Sequence, residues 1–195
     1  MSTPGLRERK KARTRWAIQE HALRLFAEQG YEQTTIDQIA AAADISPSTF
    51  FRYFKTKEDV VMQDEYDPLM AQAFLAAPAD LPPVAAFRYA MRAALDSVTP
   101  EEMEKVFERG KLQLTEPALR ARGLENFLTT RTVIGEAVAQ RTGRSKDDRA
   151  VRTFAGVIVG VLLAALLDWF EAGGEATLYE YIDESLGYLE EGLTF

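Results

Sequence analysis

Residues 34–57, TTIDQIAAAADISPSTFFRYFKTK, decide how the rest of the chain is read. They predict two short helices joined by a tight turn. Thr35 has the side chain to cap the first helix, and Gln38, three residues on, completes the spacing of a capping box. Ile36, Ile39, Ala40 and Ala43 recur at helical spacing and give that helix one apolar face. Asp44 and Ile45 fall in the turn. Ser46 is placed to cap the second helix, with Pro47 in its first position, where a missing N–H costs nothing. Phe50 and Phe54 lie four residues apart and share a face that can pack back onto the first helix. Pro47, Ser48, Thr49, Phe51, Arg52 and Tyr53 are left to the remaining surface. Small polar groups at a helix start, followed by an arginine and a tyrosine, suit insertion into a DNA major groove with flanking phosphate contacts.

With Phe26 and Gly30-Tyr31 ahead of it and Glu58-Asp59-Val60-Val61 behind, this stretch resembles the DNA-binding signature of the tetracycline-repressor (TetR) family of bacterial transcriptional regulators. Thr34-Thr35, Ile39-Ala40, Ala43, Ile45-Ser46, Tyr53-Phe54 and Lys57-Glu58 match in order. The resemblance covers about the first third of the chain. It implies an all-α protein: an N-terminal three-helix helix-turn-helix DNA-binding domain, then a larger helical ligand-binding and dimerisation domain. It implies a ligand-responsive regulator, a repressor, that binds a palindromic operator as a homodimer and is released by a small apolar or amphipathic effector. Thr35, Ser46, Pro47, Ser48, Thr49, Phe51, Arg52, Tyr53, Lys57 and Arg13 are the expected DNA contacts. The helix after Thr56 would carry the signal between the two domains. One departure matters. Many members have tyrosine where this chain has Phe51, and a phenyl ring cannot hydrogen-bond a phosphate. That role passes to Tyr53, Thr49 or Lys57, or Phe51 touches a thymine methyl instead.

A formal net charge of −7 argues at first against a nucleic-acid partner. Its distribution removes the objection. Residues 1–60 hold ten Lys and Arg against eight Asp and Glu, while residues 61–195 hold thirteen against twenty-two. Arg7, Arg9, Lys10, Lys11, Arg13 and Arg15 fall within nine positions. Affinity for DNA depends on where cations sit, because each neutralised phosphate releases counterions locally. A basic N-terminus alone is most simply a solvated tail. Directly upstream of a helix-turn-helix it reads as an arm for phosphate or minor groove. The first 15 residues are polar and basic with no apolar core, so a signal peptide is not expected and a cytoplasmic location is.

Further along, residues 1–6 are expected to be disordered. A helix runs to Gln29, with Trp16, Ala17, Leu23, Phe26 and Ala27 as its apolar stripe and Gly30 as its stop. Thr56 caps the helix that follows the reading helix, with Glu58 and Asp59 in its first turn. That helix continues to about Tyr66, where Asp67-Pro68 breaks it. Helices are then expected at about 68–76, 84–97, 100–115, 117–141, 145–172 (capped by Ser145) and 177–191. No segment alternates long enough for a strand. The domains are 1–60 and 61–195.

FAGVIVGVLLAALL at 154–167 is the most apolar run. Its fourteen residues are fewer than the roughly 20 a bilayer needs, so no membrane partner is expected. A helix apolar all round is buried on more than one side. Gly156, Gly160 and Ala164, at four-residue spacing, allow a second helix to approach. The resemblance assigns the helices at about 146–172 and 177–191 to a homodimer interface; plain monomer core is the simpler alternative. Met70, Phe87, Met91, Phe107, Phe127 and Trp169 are candidates for a ligand pocket, though aromatic and methionine residues at helical spacing are more often ordinary core. Arg88 and Arg92, four apart, would suit an anionic ligand such as a fatty-acyl thioester.

Catalysis has little to stand on. The chain has no cysteine, one histidine (His21), no glycine-rich phosphate loop and no metal-ligand motif. No enzyme activity, cofactor or metal is expected, and the carboxylates fall in helix first turns where the dipole explains them. A helical protein-interaction module without sequence-specific DNA binding is the alternative reading. It would not need the pattern from Ser46 to Tyr53.

Overall fold

A computed structural model describes residues 6–62, 66–96 and 98–194, and among these every regular element is a helix. The helices are α1 (Leu6–Gln29), α2 (Ile36–Ala42), α3 (Pro47–Tyr53), α4 (Lys57–Met62), α5 (Tyr66–Ala76), α6 (Pro83–Leu95), α7 (Pro100–Thr115), α8 (Pro117–Thr142), α9 (Arg149–Glu171) and α10 (Leu178–Glu190). They form two compact units. The first holds α1–α4 together with Glu108–Arg122; the second holds the rest of α7 and α8 with α5, α6, α9 and α10. The sequence drew a single boundary between residues 60 and 61. In the structure the first unit runs through α4 and also takes in the end of α7 and the start of α8.

In the first unit α1 buries Ile18, Gln19, Ala22 and Phe26. The expected stripe was displaced from this face: only Phe26 of it is buried, while Trp16 is exposed and Ala17 and Leu23 are half-buried. Ile18, Ala22 and Phe26 follow the i, i+4, i+8 series, and Gln19, next to Ile18, is a glutamine that an apolar count passes over. Gly30 ends the helix at φ +88, a left-handed conformation open to glycine at little cost. Ile39 and Ala40 of α2, Phe50 and Phe54 of α3, Val60 and Val61 of α4, and Leu119 of α8 complete this core. The expected disorder of residues 1–6 lies mostly outside the described residues, and Leu6 already opens α1. The break expected at Asp67-Pro68 is not found there: α4 is described only to Met62, α5 already begins at Tyr66, and Pro68 falls in its first turn, where a missing N–H costs nothing.

In the second unit α9 packs on α10, α10 on α6, and α6 on α5. Phe74, Phe87, Ile134, Ile158, Trp169 and Leu186 lie in the shared core. Burying a large apolar side chain stabilises by about 1.5–3 kcal/mol, so these few account for much of the unit's cohesion. Thr99 and Thr177 cap α7 and α10, accepting from the N–H groups of Glu102 and Glu180. The start of α9 differs. Asp148, not Ser145, is its cap, accepting from the Ala150 N–H at 2.8 Å, and Ser145 instead accepts from the Asp147 N–H within the preceding turn. The Thr142–Asp148 turn is therefore longer than the sequence suggested. At the α9–α10 corner Gly174 has φ +75, and a Cβ there would stand 2.9 Å from the Phe107 ring. Trp169 Nε1 donates to the Ala176 carbonyl across the same corner at 2.8 Å.

The apolar run 154–167 belongs to a longer helix than its fourteen residues implied. α9 has 23 residues and a window of mean hydropathy 2.2, long and apolar enough to cross a bilayer on length and composition alone. Val151, Ala155, Ile158, Ala165 and Trp169 form its buried stripe. Yet only 22 % of its most apolar window is buried, and Gly156, Val157, Gly160, Ala164 and Leu167 are exposed along another face.

Candidate DNA-reading surface and effector cavity

The α2–α3 corner is built from short-range hydrogen bonds that the sequence encodes. Thr35 Oγ1 accepts from the Gln38 N–H at 3.2 Å while Gln38 Oε1 accepts from the Thr35 N–H at 2.8 Å, the reciprocal capping box. Asp44 takes φ 53 in the turn, a left-handed position that aspartate tolerates better than most residues. The Ile45 N–H returns to the Ala40 carbonyl at 3.0 Å. Ser46 Oγ then accepts from the Thr49 N–H at 3.2 Å, and Pro47 fills the first helical position.

Phe50 and Phe54 fix α3 from below, both buried, with ring centroids 5.9 Å apart. The face that remains outside carries Ser48, Phe51 and Arg52, at i, i+3 and i+4, and Lys55 is exposed in the turn that follows the helix. Phe51 is 53 % exposed, and its ring meets the Phe50 ring edge-on at 5.6 Å. Thr49 and Tyr53 are half-buried at the sides. Thr49 Oγ1 lies 3.0 Å from Ser46 Oγ, and the Arg52 guanidinium lies 5.6 Å from the Tyr53 ring centroid.

The structure gives several expected contact residues other duties. Lys57 Nζ donates to the carbonyls of Tyr31 at 2.7 Å and Thr34 at 3.1 Å, and sits 4.1 Å over the Tyr31 ring. Two of its three N–H bonds therefore hold the α1–α2 loop. Arg13 is exposed on α1, with Lys10 and Lys11 exposed a turn before it. Arg15 differs from them: half-buried, with its guanidinium 4.9 Å over the Phe54 ring.

Asp59 is a buried structural tie whose partners pattern reading missed. It is 7 % exposed. One carboxylate oxygen accepts from the N–H groups of Lys55 and Thr56, at 3.1 and 3.2 Å. The other meets Arg122 Nη1 at 3.0 Å, and the same Nη1 donates to Thr56 Oγ1. Gln19 and Gln113 reach the carbonyls of Val60 and Val61 at 3.1 and 3.0 Å. The Thr56–Asp59 spacing is visible in the sequence as a capping pair; the partners on α1, α7 and α8 are far off along the chain and carry no local signal.

In the second unit a cavity of about 10 Å³ lies between Met70 and Phe74 of α5, Phe87 of α6, and Val133, Ile134 and Ala137 of α8. That is room for one water and no more, and its walls are apolar. Of the six candidate pocket residues, Met70 and Phe87 line it and Met91 is buried in the same core. Phe107 and Trp169 pair edge-on at 5.1 Å by the α9–α10 corner. Phe127 is half-buried on α8 and belongs to neither group. Arg141 closes the α5–α6 turn beside the cavity. It donates to the carbonyls of Phe74, Ala77, Pro78 and Leu81, with its guanidinium 5.3 Å over the Phe74 ring.

Arg88 and Arg92 do not form an anion site. Arg88 makes a bidentate pair with Asp183, at 2.8 Å for both bonds, and a further bond to Glu190, so all three of its nitrogens tie α6 to α10. The Arg88 guanidinium holds the Asp183 carboxyl below its ordinary range. Arg92 is exposed and lies 5.6 Å from the Tyr179 ring centroid. His21 is half-buried, with Arg24 Nη2 3.5 Å from its Nδ1. Among the described residues no group of three or more His, Cys, Asp or Glu is placed to hold a metal ion.

Residues 18–63 match the family described as bacterial regulatory proteins, tetR family, and residues 81–194 match the MftR C-terminal domain. The HTH-type transcriptional regulator TcmR of Streptomyces glaucescens is 40 % identical over 156 residues, spanning 74 % of this chain and 67 % of that protein. The HTH-type transcriptional repressor AcnR of Corynebacterium glutamicum is 28 % identical over 165 residues, spanning 83 % and 81 % of the two chains. The crystal structure of Thermus thermophilus FadR, a TetR-family repressor in complex with lauroyl-CoA, superposes with a TM-score of 0.57 at 25 % identity, over 93 % of this chain and 95 % of that one.

Proposed function

The chain belongs to the TetR family of bacterial transcriptional regulators, and we propose that it works as a homodimeric, effector-released repressor whose two α3 helices read the half-sites of a palindromic operator. The observation that carries this reading is the division of α3. Phe50 and Phe54 hold it to the core, while Ser48, Phe51 and Arg52 are presented together on its free face. An arginine there can take guanine O6 and N7, and exposed Lys10, Lys11, Arg13 and Lys55 can neutralise phosphates. Lys57 acts one step back, by positioning the loop ahead of α2. The first unit is the DNA reader; the second takes the effector and the second copy. Operation on chromosomal DNA places the protein in the cytoplasm.

A seven-residue helix touches few bases, and a two-fold dimer doubles the site. The exposed apolar face of α9, continued by α10, is the surface we assign to the partner subunit. The effector is apolar or amphipathic and enters between α5, α6 and α8, where the cavity must open from its present 10 Å³. Lauroyl-CoA in the Thermus thermophilus FadR structure favours a long-chain acyl thioester as the first compound to try. Arg88 is not its anchor. DNA and effector then compete by linkage, with a coupling of about 1–3 kcal/mol.

Mobility shift on DNA flanking its own gene, across a salt series, tests the operator reading. A shift on a palindromic fragment that outlasts the shift on random DNA as salt rises is the expected result. Equal, salt-labile binding to every fragment would leave only a basic surface. Isothermal titration with acyl thioesters and free lipophiles tests the effector, and a panel without heat removes that class.

A further inference from the structure

Phe51 is an exposed phenyl ring at the centre of a surface otherwise polar and basic. The polar side chains around it are largely engaged with the protein itself. Lys57 has two of its three N–H bonds on carbonyls, and the Thr49 hydroxyl is turned to Ser46. Tyr53 is half-buried beneath the Arg52 guanidinium. Solvent exposure of such a ring has no benefit to folding, and its edge-on contact with buried Phe50 fixes where it points. The major groove offers one apolar group, the C5-methyl of thymine.

We infer that Phe51 reads a thymine methyl, and that Arg52 beside it reads a guanine within one or two base pairs of that thymine. Phe51 and Arg52 are consecutive on α3 and both exposed; they diverge by about 100° around the helix axis, and the long arginine side chain spans the offset to a base pair or two away. The base preference set at Phe51 is for a methyl group, not a hydrogen-bond pattern. Thymine is preferred to uracil there, and 5-methylcytosine to cytosine. This rests on the operator reading above.

The test begins with fragments recovered from randomised DNA by the full-length wild-type protein. A consensus half-site with thymine next to, or one pair removed from, guanine is expected; one without that neighbour overturns the inference. The thymine is then replaced by deoxyuridine, which removes only the methyl. Wild-type affinity should fall about fourfold for each methyl lost, roughly fifteenfold for both half-sites, from the transfer energy of one such group. Phe51→Ala should bind the thymine and uracil fragments equally, with a circular dichroism spectrum like that of the wild type. Equal wild-type affinity for the two fragments overturns the Phe51 assignment and leaves the regulator reading standing. Recovery of no preferred sequence overturns both.

Discussion

Arg52 and Lys57 are both cations beside the reading helix, and the structure separates their work. Arg52 is exposed on α3, so removing it should cost affinity and not stability. Arg52→Ala combined with Tyr53→Phe should weaken operator binding about fivefold to a hundredfold, about 1–3 kcal/mol, with folding and dimer size unchanged. Unaltered affinity would mean that another face meets the DNA. Lys57→Ala should instead destabilise the protein by about 1–3 kcal/mol, because two buried carbonyls lose a charged donor. Urea unfolding reads the difference. The sequence told these two apart only in part. The exposure of Arg52 was legible because its helical neighbours define the face. Lys57 was not, because its acceptors belong to Tyr31 and Thr34, a whole helix-turn-helix earlier in the chain.

Helices and their ends were the most legible features wherever the signal was local. The capping box at Thr35–Gln38 formed as its spacing predicts, and Thr99–Glu102 and Thr177–Glu180 show the same reciprocal geometry. α9 began later than expected because Ser145 and Asp148 are both competent caps, and the sequence alone does not rank them. What holds one helix to another was hidden. Asp59→Ala removes the shared acceptor for Lys55, Thr56 and Arg122 and should cost about 2–4 kcal/mol, near the lower range for breaking a buried pair because Arg122 is partly solvated. An unfolding midpoint no lower than that of the wild type would count against Asp59 as the tie between α4 and α8. Arg88 provides a pH signature for the α6–α10 pairing. A carboxyl whose folded value is depressed gives stabilisation that is complete above its unfolded value, near pH 4, and lost as pH falls through the folded value. Wild type should therefore exceed Arg88→Ala in stability at neutral pH, by only about 0.5–1 kcal/mol given partial exposure, and the gap should close below about pH 4.

For the molecule as a whole, the proposed dimer turns on the exposed face of α9. A Cβ added at Gly160 meets nothing within 4 Å inside the subunit. Gly160→Leu should therefore fold, and should run as a monomer in size-exclusion chromatography with light scattering, with operator affinity lost alongside. A variant that stays dimeric would place the interface elsewhere. The all-α class, the reading helices and the apolar run were legible from local pattern alone. The partition into units was not. Local composition changes near residue 60, but Leu112, Leu119, Gln113 and Arg122 return to the first unit from a stretch whose pattern is merely helical.

That return of chain has a consequence for modularity. Recombination or engineering that treats the gene's first part as a transferable cassette would deliver α1–α4 without the plug that closes them. Leu119, fully buried among the α1–α4 side chains, would leave a hole, and the Asp59 carboxylate would lose its counter-charge. A chimera that pairs these reading helices with another sensor must import Glu108–Arg122 or an equivalent, so new specificities in this architecture arise more readily by point change on α3 than by shuffling whole segments.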